Sequence, residues 1–160
     1  MKSNTTNLFY FFVSTHPHWK ALLKPDKYKD MVTEGMQLLV EQNRVVLNAF
    51  VIMPGDLHII WQVKSRHDVE AAQTDLLNYI SRRLKYDLQK NHPVVLPRYK
   101  YFGKGKANIF WQTDATAMEL PEQFYLQKLN DILCEPVIAG LCKSPEEYKY
   151  SFAQLYQSAA

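Results

Sequence analysis

The sequence predicts an α+β fold with a mainly antiparallel sheet and helices packed on it. Short runs of aromatic and β-branched residues alternate with longer segments whose apolar residues recur every three or four positions. Two of the short runs are separated by little more than the turn signal Pro54-Gly55. Strands joined by a tight turn and interleaved with amphipathic helices indicate an antiparallel sheet with helices against it.

The N-terminal half is predicted to contain three strands and two helices. Asn7 to Thr15 is an unbroken aromatic and β-branched run, which predicts a central strand buried on both faces. Residues 25–43 begin with proline and carry apolar residues near helical spacing, which predicts a helix. Val45–Met53 and Leu57–Val63 flank the turn signal and form a hairpin. Val69 to about Lys90 has the apolar period of a long helix.

Prolines and glycines divide the C-terminal half. His92-Pro93 ends the long helix, and Val94–Gly105 is predicted to be an irregular or mobile loop. Asn108–Gln112 is predicted to be a short strand. A further helix is predicted over residues 120–135, ending there because the residue before Pro136 is biased away from helical geometry. This order of elements matches a ferredoxin-like sandwich best.

Length and composition indicate one domain over residues 1–160. The chain is 47% apolar and 13% aromatic, which suffices for a single packed core. No run approaches the roughly 20 apolar residues of a membrane helix, and the N-terminus lacks the apolar stretch of a signal peptide, so we expect a cytoplasmic protein without membrane contact. Cys134 and Cys142 are too few for a disulfide framework or a zinc motif, and we interpret them as reduced and structural.

A basic and aromatic stretch indicates nucleic acid as a partner. The whole chain has a net charge of +3, but residues 79–106 carry eight basic residues against one acid. Cations for phosphates and aromatic faces for unpaired bases are typical of single-strand binding. A solvated basic surface with core tyrosines has the same composition, so composition leaves both interpretations open. The candidate nucleic-acid-binding residues are Arg82, Arg83, Lys85, Lys90, Arg98, Lys100, Lys104, Lys106, Tyr79, Tyr99 and Tyr101.

Two pairs of potential metal ligands stand on the hairpin and on the last helix. Asp56 and His58 are two apart on a strand and share a face. Asp131 and Glu135 are four apart on a helix and share a side. If the two pairs meet, Asp56, His58 and Glu135, with Asp131 as a further candidate, would form an oxygen-rich set suited to Mg²⁺ or Mn²⁺. The alternative is that Asp131 pairs with Lys128, that Glu135 is exposed and that Asp56 is an ordinary turn residue.

Five segments carry a similarity to one known family that spans about residues 7–156. They are Asn48–Pro54, Trp111-Gln112, Gln127–Leu129, Pro136–Leu141 and Pro145–Ser151. In this combination the chain resembles the REP-associated tyrosine transposases, which are IS200-like single-tyrosine transposases. The resemblance implies a ferredoxin-like domain that binds single-stranded DNA hairpins as a monomer or homodimer. It also implies strand cleavage by a tyrosine, helped by a divalent ion on a His-hydrophobe-His motif and on a polar residue of the tyrosine's helix.

The sequence departs from that pattern at the positions that carry the chemistry. Asp56 stands at the first histidine position, Asp131 at the tyrosine position and Glu135 at the asparagine position. An acyl phosphate is far more labile than a phosphotyrosine, so ordinary transposition through Asp131 is not expected. Tyr125 lies about 120° around the helix from position 131, on the apolar stripe. Other tyrosines that remain candidates are Tyr79, Tyr99 and Tyr101.

Three functions follow from these observations. The leading hypothesis is a transposase-like protein that binds single-stranded or hairpin DNA and whose tyrosine chemistry is lost or impaired. The second is a metal-dependent nuclease that activates water at Asp56, His58, Glu135 and Asp131. The third is a regulatory or protein-interaction module that keeps only the fold.

Overall fold

The chain folds into a four-stranded antiparallel sheet with helices on both faces. The computed structural model describes residues 8–15, 22–65, 68–99 and 117–152. The elements are β1 (Phe9–Thr15), α1 (Asp26–Glu41), β2 (Val45–Ile52), β3 (Asp56–Val63), α2 (Val69–Asn91), β4 (Met118–Leu120) and α3 (Tyr125–Ile138), with 3₁₀ turns at Leu96–Tyr99, Glu122–Phe124 and Pro145–Glu147. The strand order is β2-β3-β1-β4. The predicted α+β fold is confirmed.

β1 is an inner strand, as its unbroken apolar sequence predicts. Phe9 is paired with Gln62 of β3 on one side and with Leu120 of β4 on the other. Phe11 and Phe12 point to opposite faces of the sheet and are 5% and 1% exposed. Because both faces of this strand are covered, its sequence does not alternate between apolar and polar residues.

β2 and β3 form the predicted hairpin. Ile52 is paired with Leu57, and the Met53 N–H donates to the Asp56 carbonyl at 2.8 Å, which closes the turn. Ile52 and Leu57 are both fully buried. Asp56 is therefore the first residue of β3, and the hairpin tip is anchored directly in the core.

Alternation along β3 separates two cores. Ile59 and Trp61 point to α1 and α2 and belong to the larger core, on what we call the helix-pair face. Ile60 points the other way, to a smaller core that it forms with Phe11 and with Ile132 of α3. We call this side of the sheet the α3 face.

α1 and α2 pack closely because Gly35 has no side chain. A Cβ at this position would lie 2.8 Å from Tyr79 Cδ1 and 2.9 Å from Leu76 Cδ1, both on α2. Contacts that short do not occur without movement of the neighbouring side chains. Gly35 therefore sets the distance of closest approach between the two helices.

A partly buried hydrogen-bond network joins the start of α1 to the end of α2. The Tyr28 hydroxyl donates to Asp87 Oδ2 at 2.6 Å, and Lys27 Nζ lies 2.9 Å from the same oxygen. Partial burial disfavours the charged form of Asp87, but hydrogen bonds from Tyr28, Lys27 and Asn91 outweigh it and lower the pKa to about 2. Asp87 is therefore an ionised, structural carboxylate at neutral pH.

The third helix begins and ends later than predicted. It is preceded by a 3₁₀ turn and starts at Tyr125, and it continues through Pro136 to Ile138. The predicted end at Glu135 is wrong. Beyond Ile138 the helix is terminated at Gly140, which has φ +75° and whose N–H donates to the Val137 carbonyl, while the Leu141 N–H donates to the Pro136 carbonyl. Such a C-terminal motif requires the left-handed conformation that glycine adopts freely.

The fourth strand is Met118–Leu120, which sequence reasoning missed. It is only three residues long and is followed directly by Pro121. Its last residue, Leu120, lies at the predicted start of the last helix. The predicted strand Asn108–Gln112 lies outside the described residues. The predicted irregular segment after His92 begins with the 3₁₀ turn Leu96–Tyr99, and its remainder also lies outside them.

Candidate functional site

Asp56 and His58 form a hydrogen-bonded pair at the start of β3. His58 Nε2 lies 2.5 Å from Asp56 Oδ2. His58 is 9% exposed and Asp56 is half-buried. As their spacing predicts, the side chains of Asp56 and His58 lie on the same face of β3. A buried imidazole held by a carboxylate beside it has a fixed orientation.

The pair lies on the α3 face of the sheet. His58 is opposite Val13 of β1, and its ring lies beside Phe11, with centroids 6.4 Å apart and planes at 26°. Phe11 also belongs to the small core beneath α3. The hairpin tip and the last helix therefore share one side of the sheet, as a joint site would require.

The acids of α3 do not complete a metal site with this pair. Asp131 is exposed and Glu135 is half-buried. Within the described ranges, no three histidine, cysteine, aspartate or glutamate side chains are grouped closely enough to hold a metal ion. Asp56 and His58 offer one oxygen and one nitrogen ligand. Such a pair binds Mg²⁺ or Mn²⁺ only when phosphate oxygens or waters complete the coordination.

Lys128 contacts an aromatic ring instead of a neighbouring acid. Its Nζ lies 3.9 Å from the centroid of the Phe11 ring. The ion pairs formed between described residues do not include one between Lys128 and Asp131. The alternative in which these two residues neutralise each other is therefore absent from this structure.

The last described segment supports the hairpin tip, a contact that sequence reasoning missed. Ser151 bridges to Val51 of β2, and the Ile52 N–H donates to the Tyr150 carbonyl at 2.9 Å. The Tyr148 hydroxyl donates to the Ile52 carbonyl at 2.6 Å. The alternation of Tyr148 and Tyr150 around a lysine was the available signal, because it is typical of a strand with one buried face.

Both of these tyrosines are hydrogen-bond donors. Burial, with smaller electrostatic effects of the nearby Cys142, Asp26 and Asp56, raises the pKa of Tyr148 to about 12. Burial and a hydrogen bond to Asp30, at 2.8 Å, also raise the pKa of Tyr150. Both hydroxyls therefore keep their protons at neutral pH; the Tyr148 hydroxyl donates to the hairpin tip, and the Tyr150 hydroxyl donates to α1.

The basic residues of α2 lie on the helix-pair face, on the opposite side of the sheet from the Asp56–His58 pair. Arg83 Nη1 donates to Glu34 Oε2 at 2.6 Å and to the Tyr79 hydroxyl at 2.7 Å. The hydrogen bond to Glu34 is the main cause of a raised Arg83 pKa. Arg82 contacts its own helix backbone, and Lys90 lies 5.8 Å from the Tyr86 ring. One of the predicted DNA-binding cations is thus already paired with a carboxylate.

The remaining predicted DNA-binding positions are only partly described. Lys85 is half-buried on α2. The backbone of Arg98 and Tyr99 lies in a 3₁₀ turn. Lys100, Tyr101, Lys104 and Lys106 lie outside the described residues. The structure therefore brings Asp56 and His58 together and leaves the predicted basic set on another layer or outside the described ranges.

Comparisons with known proteins find the fold and no close relative by sequence. No family model and no curated protein matches the chain. A solved structure described as a REP-associated tyrosine transposase bound to a REP hairpin matches with a TM-score of 0.72 and 14% identity, over 95% of this chain and 80% of that one. A candidate transposase from Deinococcus radiodurans R1 matches with a TM-score of 0.53 and 14% identity, over 82% and 94%. In the described part of the chain, no helix is both long and apolar enough to span a membrane. The chain therefore has the fold of the REP-associated tyrosine transposase, as its five similar segments predicted.

Proposed function

We propose that this protein binds single-stranded or hairpin DNA and that tyrosine-dependent strand cleavage is lost from its site. The observation that carries the proposal is the match over 95% of the chain to a transposase described as bound to a REP hairpin. The basic stretch of residues 79–106 supports a polyanionic partner. The partner is DNA whose strand can be unpaired, because the interleaved aromatic residues suit exposed bases.

The loss of cleavage rests on the residues around position 131. An exposed aspartate stands there, and its acyl phosphate would not preserve the bond for rejoining a strand. Tyr125 packs on Phe9, with ring centroids 4.7 Å apart, in the small core. The Tyr148 hydroxyl donates a hydrogen bond to the Ile52 carbonyl, and the Tyr150 hydroxyl donates one to Asp30. Tyr148 and Tyr150, whose pKa values are raised, are therefore not activated nucleophiles.

A divalent ion, if bound, would be held by Asp56 and His58 and would polarise a DNA phosphate. The chain's own contribution is a fixed imidazole on the α3 face, positioned by Asp56 and by the Phe11 ring. Tyr79, Arg82, Lys85 and Lys90 would supply additional DNA contacts from α2. Arg83 would contribute less, because Glu34 already neutralises its charge.

Binding to a labelled DNA hairpin with a single-stranded overhang tests this function. We expect the association constant to fall steeply with salt, since phosphate contacts release counterions. A blunt duplex of the same stem is the matched control and should bind more weakly. Incubation with Mn²⁺ followed by a denaturing gel should show no covalent protein–DNA adduct. Salt-insensitive or absent binding to the hairpin would overturn the first half of the proposal, and an adduct the second.

A metal-dependent nuclease is the second candidate, favoured by the 2.5 Å contact between His58 and Asp56. A carboxylate and an imidazole on one face are suited to hold an ion that activates water. Nicking of the labelled hairpin with Mn²⁺ should then disappear in His58→Ala. Equal nicking by the wild-type protein and His58→Ala would remove this site from the reaction.

A further inference from the structure

Lys128 is the single cation of α3, a helix that also carries Asp131 and Glu135. Its ammonium lies 3.9 Å from the Phe11 ring centroid, and the ion pairs between described residues do not include it. The residue is half-buried, so part of its side chain remains open to solvent. This is a positioned positive charge that no described carboxylate neutralises.

Phe11 connects this charge to the hairpin tip. Its ring is 5% exposed and lies 6.4 Å from the His58 ring, so the Lys128 ammonium is within about 10 Å of the imidazole centre. Lys128, Phe11 and the Asp56–His58 pair therefore follow one another across the α3 face. The buried ring cannot move away without opening the small core, so it fixes where the ammonium can lie.

The chemistry of this arrangement suits a phosphate. A lysine ammonium is a compact charge with three donors. Its attraction to a phenyl face is weaker than a charge-assisted hydrogen bond to a phosphate oxygen. The ring thus holds the ammonium in place and leaves its donors available to an anion. The positive charge of Lys128 also counteracts the repulsion between DNA and the negative charges of Asp131 and Glu135 on the same helix.

We propose that Lys128 binds a backbone phosphate of DNA on the α3 face, beside the Asp56–His58 pair. The inference rests on the proposed function, because it requires that DNA binds the protein. It assigns to this face a permanent cation that is present whether or not a divalent ion is bound. A DNA strand would then pass the hairpin tip on the side of α3, where position 131 also lies.

Three variants of the full chain isolate this contact. Lys128→Met removes the charge and keeps an unbranched apolar stem over Phe11, and Lys128→Arg keeps the charge. Lys64→Met is the matched control, since Lys64 is exposed and directly follows β3 at the end away from Asp56. Fluorescence anisotropy with the overhanging DNA hairpin, over a range of salt concentrations, gives the affinity and its salt dependence.

We expect Lys128→Met to weaken binding about tenfold, as loss of a charged hydrogen bond does. The slope of log K against log salt should become shallower by about 0.7 to 0.9, the value for one phosphate contact. Lys128→Arg should restore both quantities, and Lys64→Met should change neither. Methylphosphonate replacement of single phosphates should weaken wild-type binding at one position near the overhang and have no further effect there in Lys128→Met.

The outcomes separate this inference from the function on which it rests. A wild-type protein that does not bind the hairpin overturns the proposed function. A wild-type protein that binds, with Lys128→Met equal to Lys64→Met in affinity and slope, overturns the role of Lys128 alone. A lower melting temperature of Lys128→Met with an unchanged salt slope shows a packing role only and also overturns it.

Discussion

Asp87 provides the sharpest test of how the two helices of the helix-pair face are held together. Its pKa falls from 3.8 to about 2 in the folded protein. Because the pKa is lowered by folding, the carboxylate stabilises the fold fully at any pH above its pKa in the unfolded chain. That contribution is lost as the pH falls through its pKa in the folded protein. At 1.36 kcal/mol per unit, the shift corresponds to at most about 2.4 kcal/mol, and solvent screening reduces this to about 1 to 2 kcal/mol.

Asp87→Asn removes the charge while leaving an oxygen for the Tyr28 hydroxyl. We expect the variant to have a lower free energy of unfolding at neutral pH by about 1 to 2 kcal/mol, the screened value above. The difference from the wild-type protein should shrink between pH 4 and pH 2, where the wild-type carboxylate becomes protonated. Urea unfolding monitored by circular dichroism across this range measures both quantities.

Asp75→Asn is the control for removing an acid from α2. Asp75 is paired with Arg44 at 2.7 Å, but its side chain is 54% exposed, so its loss should cost well under 1 kcal/mol. A stability difference between the wild-type protein and Asp87→Asn that stays constant from neutral pH to pH 2 would refute the reasoning. The ionised Asp87 network would then not be what links α1 to α2.

Two further changes test contacts that position the site. Gly35→Ala should lower the melting temperature. The new methyl group would crowd Tyr79 and Leu76 at a cost of about 1 to 3 kcal/mol, which exceeds the gain in helix propensity of about 1 kcal/mol. A raised melting temperature would contradict the 2.8 Å approach to Tyr79. Tyr148→Phe should cost about 1 kcal/mol by removing the hydrogen bond to the Ile52 carbonyl. Because the raised pKa keeps the hydroxyl protonated, this cost should be constant below about pH 10 and fall as pH rises through about 12, and pH-dependent loss near neutrality would count against it.

Local patterns in the sequence predicted three of the four strands that the structure describes. The run through Phe11 and Phe12 identified an inner strand, and Pro54-Gly55 identified the hairpin turn, because both depend on neighbouring residues only. The end of α3 was mispredicted because a proline restrains its predecessor weakly, while a glycine in a left-handed conformation supplies a specific end. Gly140 was the residue in the sequence that indicated the end of the helix, but the prediction placed the end before Pro136.

The site was less predictable because it depends on distant contacts. Spacing placed Asp56 and His58 on one strand face, and it placed Asp131 beside Lys128 on a helix. Spacing along the chain does not show that Phe11, from another strand, lies between Lys128 and His58. In the structure the Lys128 ammonium contacts the Phe11 ring, and this contact depends on how α3 packs against β1. Pairing of Ser151 with Val51 is likewise a contact across about a hundred positions that no local pattern encodes.

The support of the hairpin tip by Tyr148 and Tyr150 also orders the folding of the chain. The Tyr148 hydroxyl and the Ile52 carbonyl that it contacts are 96 residues apart. Ile52 is fully buried, and its N–H finds its partner only at Tyr150. In a nascent chain that has not reached this segment, water must satisfy that N–H, and burying Ile52 would leave it unpaired at a cost of about 1 to 3 kcal/mol. The hairpin can therefore form early in synthesis, whereas the fixed geometry of its tip is one of the last features to be acquired.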